Sequence, residues 1–276
     1  MRNTWAVCKR EFAGYFVTPV GYVVVGTFAA ISGFSFAYFF TEYCTWTLAP
    51  GKYLFKGAPD FEETFLSQYL VFCGLLIMFI GPLITMRLFA GERSRGTMEL
   101  LLTYPLRDGD IVFGKFLASC GMLLVMMGVL GVHMAILAWI TDVEPAVLWF
   151  GLLTVLLMGM AFVSLGLFVS AMANNPVTAG TMTFGLWFVM YILGSFGRDL
   201  PEENPAPETF SAGLRTVVGF FYAVFRRFVQ ELPIDTHARD MAQGVVQPKD
   251  LAYYVLFIAF FLFLTFRALE SRRWRA

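Results

Sequence analysis

Six stretches of the chain carry no Asp, Glu, Lys or Arg and are long enough, or nearly so, to cross a membrane: Gly21–Phe40, Tyr69–Thr85, Phe116–Ile140, Ala146–Met172, Val177–Gly197 and Leu251–Phe266. A bilayer core takes about 20 apolar residues of helix. The pattern therefore predicts six transmembrane helices, with the short second and sixth extending into the interface at their ends.

The polar intervals are as informative as the runs. Pro82 to Lys115, PLITMRLFAGERSRGTMELLLTYPLRDGDIVFGK, breaks the apolar chain with charge before returning it to the membrane. Gly81 and Pro82 are suited to kink or end the second span. Gly96 and Thr97 open a short helix, with Thr97 as N-cap and Glu99 in the first turn, where the helix dipole favours an acid. Met98, Leu101 and Leu102 form its apolar face, and Pro105 stops it. Such a helix needs a groove on a partner, or packs back on its own spans.

The other intervals predict surface elements. Trp5, Cys8, Phe12 and Tyr15 share one face of a helix over residues 1–16. That pattern points to an interfacial helix leading into an uncleaved first span, in preference to a signal peptide. The intervals Thr41–Gln68 and the tight turn at Asp142 and Glu144 are acidic, and residues 197–250 form a long loop with Pro201, Pro205 and Pro207. Within it Leu214, Val217, Phe221, Val224, Phe228 and Leu232 recur at three- or four-residue spacing, an apolar stripe suited to a leaflet interface or to a groove on the protein. A seventh span there would bury Arg226 and Arg227, at roughly 2.5 to 3.5 kcal/mol each near the bilayer centre.

Composition agrees: 58% of residues are hydrophobic, 17% aromatic and 14% charged, which excludes a water-soluble domain. The net charge of zero hides an asymmetry. With both termini on one side, that side carries twelve basic against six acidic residues, and the opposite side eight against fourteen. Positive charge is retained in the cytoplasm, so both termini are predicted to lie there.

Candidate chemistry is sparse. The spans hold one ionisable group titrating near neutrality, His133, and no carboxylate, so a proton-coupled path has no relay. Met122, Met126, Met127 and Met134 lie nearby and read as packing rather than soft-metal ligands. Cys8, Cys44, Cys73 and Cys120 have neither a disulfide framework nor metal-site spacing, and neither an HExxH nor a GxSxG motif occurs. Gly109, Gly114 and Lys115 imitate a phosphate loop, but Phe116 stands where Ser or Thr is needed and no strand precedes it. Gly26 with Ala30, Ala29 with Gly33, and Gly166 with Ser170 are small-residue pairs that permit close helix approach.

The run TMRLFAGERSRGTMELLLTYPLRDGDIVFGKFLA resembles the signature of type 2 ABC exporter permeases. The ending GVVQPKDLAYYVLFIAFFLFLTFRALESRRWR is similar to that of the gliding-motility-associated subfamily, and the N-terminal KREFAGYFVTPVGYV fits the same pattern. The resemblance implies an all-α polytopic fold, a single transmembrane domain over residues 1–276, with an N-terminal elbow helix at 1–16, a coupling segment at 86–110 and an outer loop at 197–250. It implies a permease without a nucleotide site, seated with a second permease, identical or related, on two copies of an ABC ATPase that bind ATP and Mg. Its partners are then that ATPase and the lipid bilayer, with no nucleic acid, in a bacterial cytoplasmic membrane. Carried onto matching positions, the coupling element is Glu92, Arg93, Arg95, Gly96, Thr97, Glu99, Leu100 and Leu101. The function implied is ATP-driven export of a substrate. The alternative is a non-transporting anchor through which an ABC ATPase pulls on an outer structure.

Overall fold

Proline places the starts of four of the long helices, since its fixed φ suits the first helical turn and its missing N–H is not needed there. In the computed structural model, which describes residues 2–49, 60–98, 107–198, 200, 201, 205, 210–242, 244 and 246–273, helix α1 is Arg2–Val17 and α2 opens on proline as Pro19–Leu48. A π-helical stretch Glu62–Ser67 runs into α3, Gln68–Thr85, followed by the short α4, Ala90–Ser94. Then come α5, Asp108–Ile140, the proline-led α6, Pro145–Met172, and α7, Pro176–Arg198. The chain ends with α8, Ala212–Glu231, the five-residue α9, Ala238–Ala242, and the proline-led α10, Pro248–Arg273.

Among the described residues six stretches are long and apolar enough to cross a membrane, as the six runs predict: α2, Glu62–Ser94, α5, α6, Pro176–Gly197 and Pro248–Ser271. The second and sixth are longer than their uncharged runs, because the helices carry on past the charges at their ends. Pro82 neither ends nor breaks α3, which continues to Thr85 and hands Met86 N–H to the Pro82 carbonyl at 2.9 Å.

Helix α6 is the axis of the bundle, packed against α3, α5, α7 and α10. Missing side chains let it approach. A Cβ on Gly166 would lie 2.4 Å from Thr85 Oγ1, one on Gly151 2.4 Å from Leu70, and one on Gly74 of α3 2.7 Å from Met158. Of the small-residue pairs, Gly166 with Ser170 is therefore a real contact, whereas Gly26 faces open space. Met122, Met126 and Met134 are buried in this core. His133 Nδ1 pairs with Tyr69 Oη at 2.6 Å, and its ring stacks on Phe36, so it is a half-buried, hydrogen-bonded residue.

The surface helices differ from one another. Helix α1 lies along α5, its most extensive neighbour. Its buried face is Val7, Cys8 and Tyr15, while Trp5, expected on that face, is turned out. On the opposite side of the bundle, α8 touches α7 through Val229 at Gly197 and through Gln230 Nε2, which donates to the Gly197 carbonyl at 2.9 Å. Most of the stripe predicted for α8, Leu214, Val217, Phe221, Val224 and Phe228, stays exposed. No groove among the described residues takes it. The following ELPIDTH segment is tied to α10 by His237, whose Nδ1 pairs with Asp250 at 2.7 Å and whose ring stacks on Tyr253.

Candidate functional site

The residues expected to meet a partner begin where α3 ends. Phe89 and Ala90 turn their N–H groups onto Ser170 Oγ of α6, at 3.1 and 3.2 Å, and the same hydroxyl donates to the Met86 carbonyl at 3.3 Å. One buried hydroxyl thus satisfies the buried donors at the start of α4, which would otherwise be orphaned. Arg93 reaches the other way. Its guanidinium donates to the Ala171, Met172 and Ala173 carbonyls, the last at 2.5 Å. These carbonyls end α6, where a cation also meets the negative end of the helix dipole.

Gly96 closes α4. Its φ of +69° is the left-handed conformation glycine adopts without strain. Gly96 N–H donates to the Arg93 carbonyl and Thr97 N–H to the Glu92 carbonyl, both at 3.0 Å, the paired bonds of a Schellman ending. Gly96 therefore terminates α4 instead of opening the next helix. Thr97 Oγ1 donates back to the Glu92 carbonyl at 3.1 Å. Met98 is helical and buried. Glu99, Leu100 and Leu101, with the rest of the expected short helix, lie outside the described residues.

Glu92 is held from inside the protein. Its Oε1 accepts from Lys115 Nζ at 3.0 Å and from Arg10 at 3.3 Å, while Glu11 of α1 accepts from Lys115 at 3.0 Å and from Arg10 at 2.6 Å. The Lys115 side chain is 0% exposed, and its ammonium sits 5.2 Å from the centre of the Phe89 ring. Two cations and two carboxylates close a neutral cluster, the condition under which a buried ammonium is tolerated. Burial acts to raise the Glu11 pKa, but attraction and hydrogen bonding from Lys115 and Arg10 outweigh it and hold that carboxyl below its ordinary range.

Helices α1 and α5 lock around this cluster. Thr4 Oγ1 donates to Asp110 at 2.6 Å, and a Cβ on Gly114 would come within 2.7 Å of Val7. The glycine and lysine that imitate a phosphate loop thus have structural work. Gly114 admits α1, and Lys115 is the central buried cation. Arg95 remains exposed, and Arg10 is partly so.

Of the expected coupling residues, Glu92, Arg93, Arg95, Gly96 and Thr97 gather in one turn. Sequence reasoning overlooked Lys115, Glu11, Arg10 and Ser170. Glu11 carried a signal: with Val7 and Tyr15 it falls at four-residue spacing, which sets a carboxylate in the middle of the apolar face of α1.

Among the described residues the chain is all-helical, with six stretches long and apolar enough to cross a membrane and a charged, internally braced turn between the second and third of them, which defines a polytopic membrane protein in class. The pattern defining the ABC-2 family transporter proteins matches residues 27–272. The chain belongs to that family. It is 37% identical over 129 residues to the probable ABC transporter permease protein NosY of Pseudomonas aeruginosa, a match covering 43% of this chain and 46% of that protein. Its identity to the NosY protein of Stutzerimonas stutzeri is 33% over 129 residues, with the same shares of each chain. It is also 36% identical over 102 residues to ABC transporter G family member 20 of Dictyostelium discoideum, covering 36% of this chain and 13% of that one. The matches span less than half the length of each of these relatives.

Proposed function

We propose that this chain is the permease of an ATP-driven exporter, paired with a second permease and worked by two separate ABC ATPase subunits that bind ATP and Mg. It moves its substrate outward across a bacterial cytoplasmic membrane with both termini inside. The coupling element is the segment containing Glu92, Arg93, Arg95, Gly96 and Thr97, continuing through Glu99, Leu100 and Leu101. The similarity of the C-terminal ending to gliding-motility permeases supports a place in that subfamily.

The observation that carries this reading is the double anchorage of α4. Ser170 and Arg93 fix the turn to α6, and Glu92, through Lys115, fixes it to α5 and α1. A push on its exposed face therefore reaches the central helix and the surface helix together, because packed elements shift as units. Within the turn the roles divide: Glu92 and Arg93 transmit inward, and Arg95 offers its charge to the partner.

The test is Arg95→Glu in purified permease reconstituted with its ATPase. Membrane insertion and thermal stability stay at the wild-type level, while stimulation of ATP hydrolysis falls at least several-fold. Normal stimulation by the variant would refute the coupling assignment. ATP turnover coupled to outward flux of a co-purified solute supports export, and turnover with no flux of any bound solute favours the anchor alternative.

A further inference from the structure

A cavity of about 790 Å³ opens between α1, the start of α2, the end of α3 and α4. Its volume falls in the range of ligand pockets. Its two ends differ in chemistry. Val17, Val20 and Leu83 line one end, with Val17 and Leu83 open to the surroundings of the spans. Arg10, Arg87 and Arg95 line the other, together with the Glu11 and Glu92 carboxylates. The Oε1 atoms of both carboxylates are already answered by Lys115 and Arg10, and Glu92 Oε2 is buried without a hydrogen-bond partner among the described residues. Among the described residues, Arg87 and Arg95 have no carboxylate partner within 4.0 Å, which leaves the polar end with unneutralised positive charge.

We propose that this cavity binds an anionic phospholipid from the leaflet on the side of the termini, its phosphate held by Arg87 and an acyl chain laid against Val17, Val20 and Leu83. Guanidinium is suited to phosphate because its planar donors match two oxygens at once. The apolar end continues onto helices that cross the membrane, a surface that a water-soluble ATPase does not reach. A bound lipid would fill the space beside the Glu11–Lys115–Glu92 cluster and brace α1 against α4. The inference requires membrane insertion but not the coupling role, so it stands or falls separately from the proposed function.

Two variants test it from opposite directions. Arg87→Gln removes an exposed charge, and Gly14→Leu fills the cavity from α1 at a position where a new Cβ meets nothing within 4 Å. Purified protein in mixed micelles of phosphatidylglycerol and phosphatidylcholine is examined by native mass spectrometry. Wild type retains one phosphatidylglycerol per chain in preference to phosphatidylcholine, both variants lower that retention at least fivefold, and Arg267→Gln, an exposed arginine on α10, leaves it unchanged. The proposal is overturned by an absence of headgroup preference, by equal loss in Arg267→Gln, or by retention in Gly14→Leu. Displacement by millimolar glycerol 3-phosphate would also overturn it, since a soluble anion would then be the ligand. So would loss of ATPase binding in Gly14→Leu with the lipid still held.

Discussion

Lys115 Nζ lies 3.0 Å from Glu92 Oε1 with none of the lysine side chain open to solvent. The contact joins α5, long and apolar enough to cross a membrane, to the turn proposed as the coupling element. Glu11 completes the bracket from α1, also at 3.0 Å. The surface helix is thereby part of the same rigid unit.

Removing the buried cation leaves two carboxylates that share only the half-exposed Arg10. Lys115→Met is expected to cost about 3 to 5 kcal/mol, the usual penalty for stripping one partner from a buried ion pair. The triple variant Lys115→Met, Glu11→Gln, Glu92→Gln should recover much of that loss. Thermal unfolding in detergent of the single and triple variants checks both, and equal stability of the two would show that charge is not what the cluster contributes.

Acid should weaken the same cluster. Glu11 has a folded pKa below its ordinary value of 4.5, so its stabilising contribution is present in full above that value and is lost as pH falls through the lower folded one. Melting temperatures measured from pH 7 to pH 3 should show wild type losing its advantage over Glu11→Gln only below about pH 4.5. Convergence of the two curves at neutral pH would contradict the assignment.

Two small-residue positions that look alike in sequence should behave differently. Gly166→Ala drives a Cβ against Thr85, whose hydroxyl is fixed on the Gly81 carbonyl at 3.2 Å, and overpacking of this kind costs about 1 to 3 kcal/mol. Gly26→Ala meets open space and should stay within about 0.5 kcal/mol of wild type. Unfolding midpoints of the pair decide the matter.

The end of α4 depends on a left-handed residue. Gly96→Val is expected to cost about 1 to 2 kcal/mol, the penalty of a β-carbon at positive φ. The loss should be local, seen as faster hydrogen exchange at the amides of residues 96 and 97 with the melting temperature of the bundle little changed. Unaltered protection there would mean that the Schellman bonds do not hold the turn.

The charged segment between the second and third spans was legible as a break between them, since a run of arginines and glutamates interrupting apolar chain has no reason to enter the membrane. Its internal wiring was not. Arg93, Arg95 and Glu92 look alike as surface charges in sequence, yet one caps α6, one stays exposed and one pairs with a buried lysine. Gly96 reads equally well as the end of one helix or the start of another, and its φ settles that it ends α4. The face of α1 was half visible: Cys8 and Tyr15 turn inward as the pattern predicts, but Val7 takes the place expected for Trp5.

Sequence alone determined the six crossings, because hydropathy sums along about 20 consecutive residues and needs no knowledge of neighbours. It also determined the amphipathic character of α8 and where the charged turn falls. Tertiary structure alone decided that Lys115 is buried and that its partners stand 23 and 104 positions away. A lysine at the rim of a span is equally stable in water or in a neutral pocket, and only the packing of α1 and α4 around it brings up the carboxylates that make the pocket neutral.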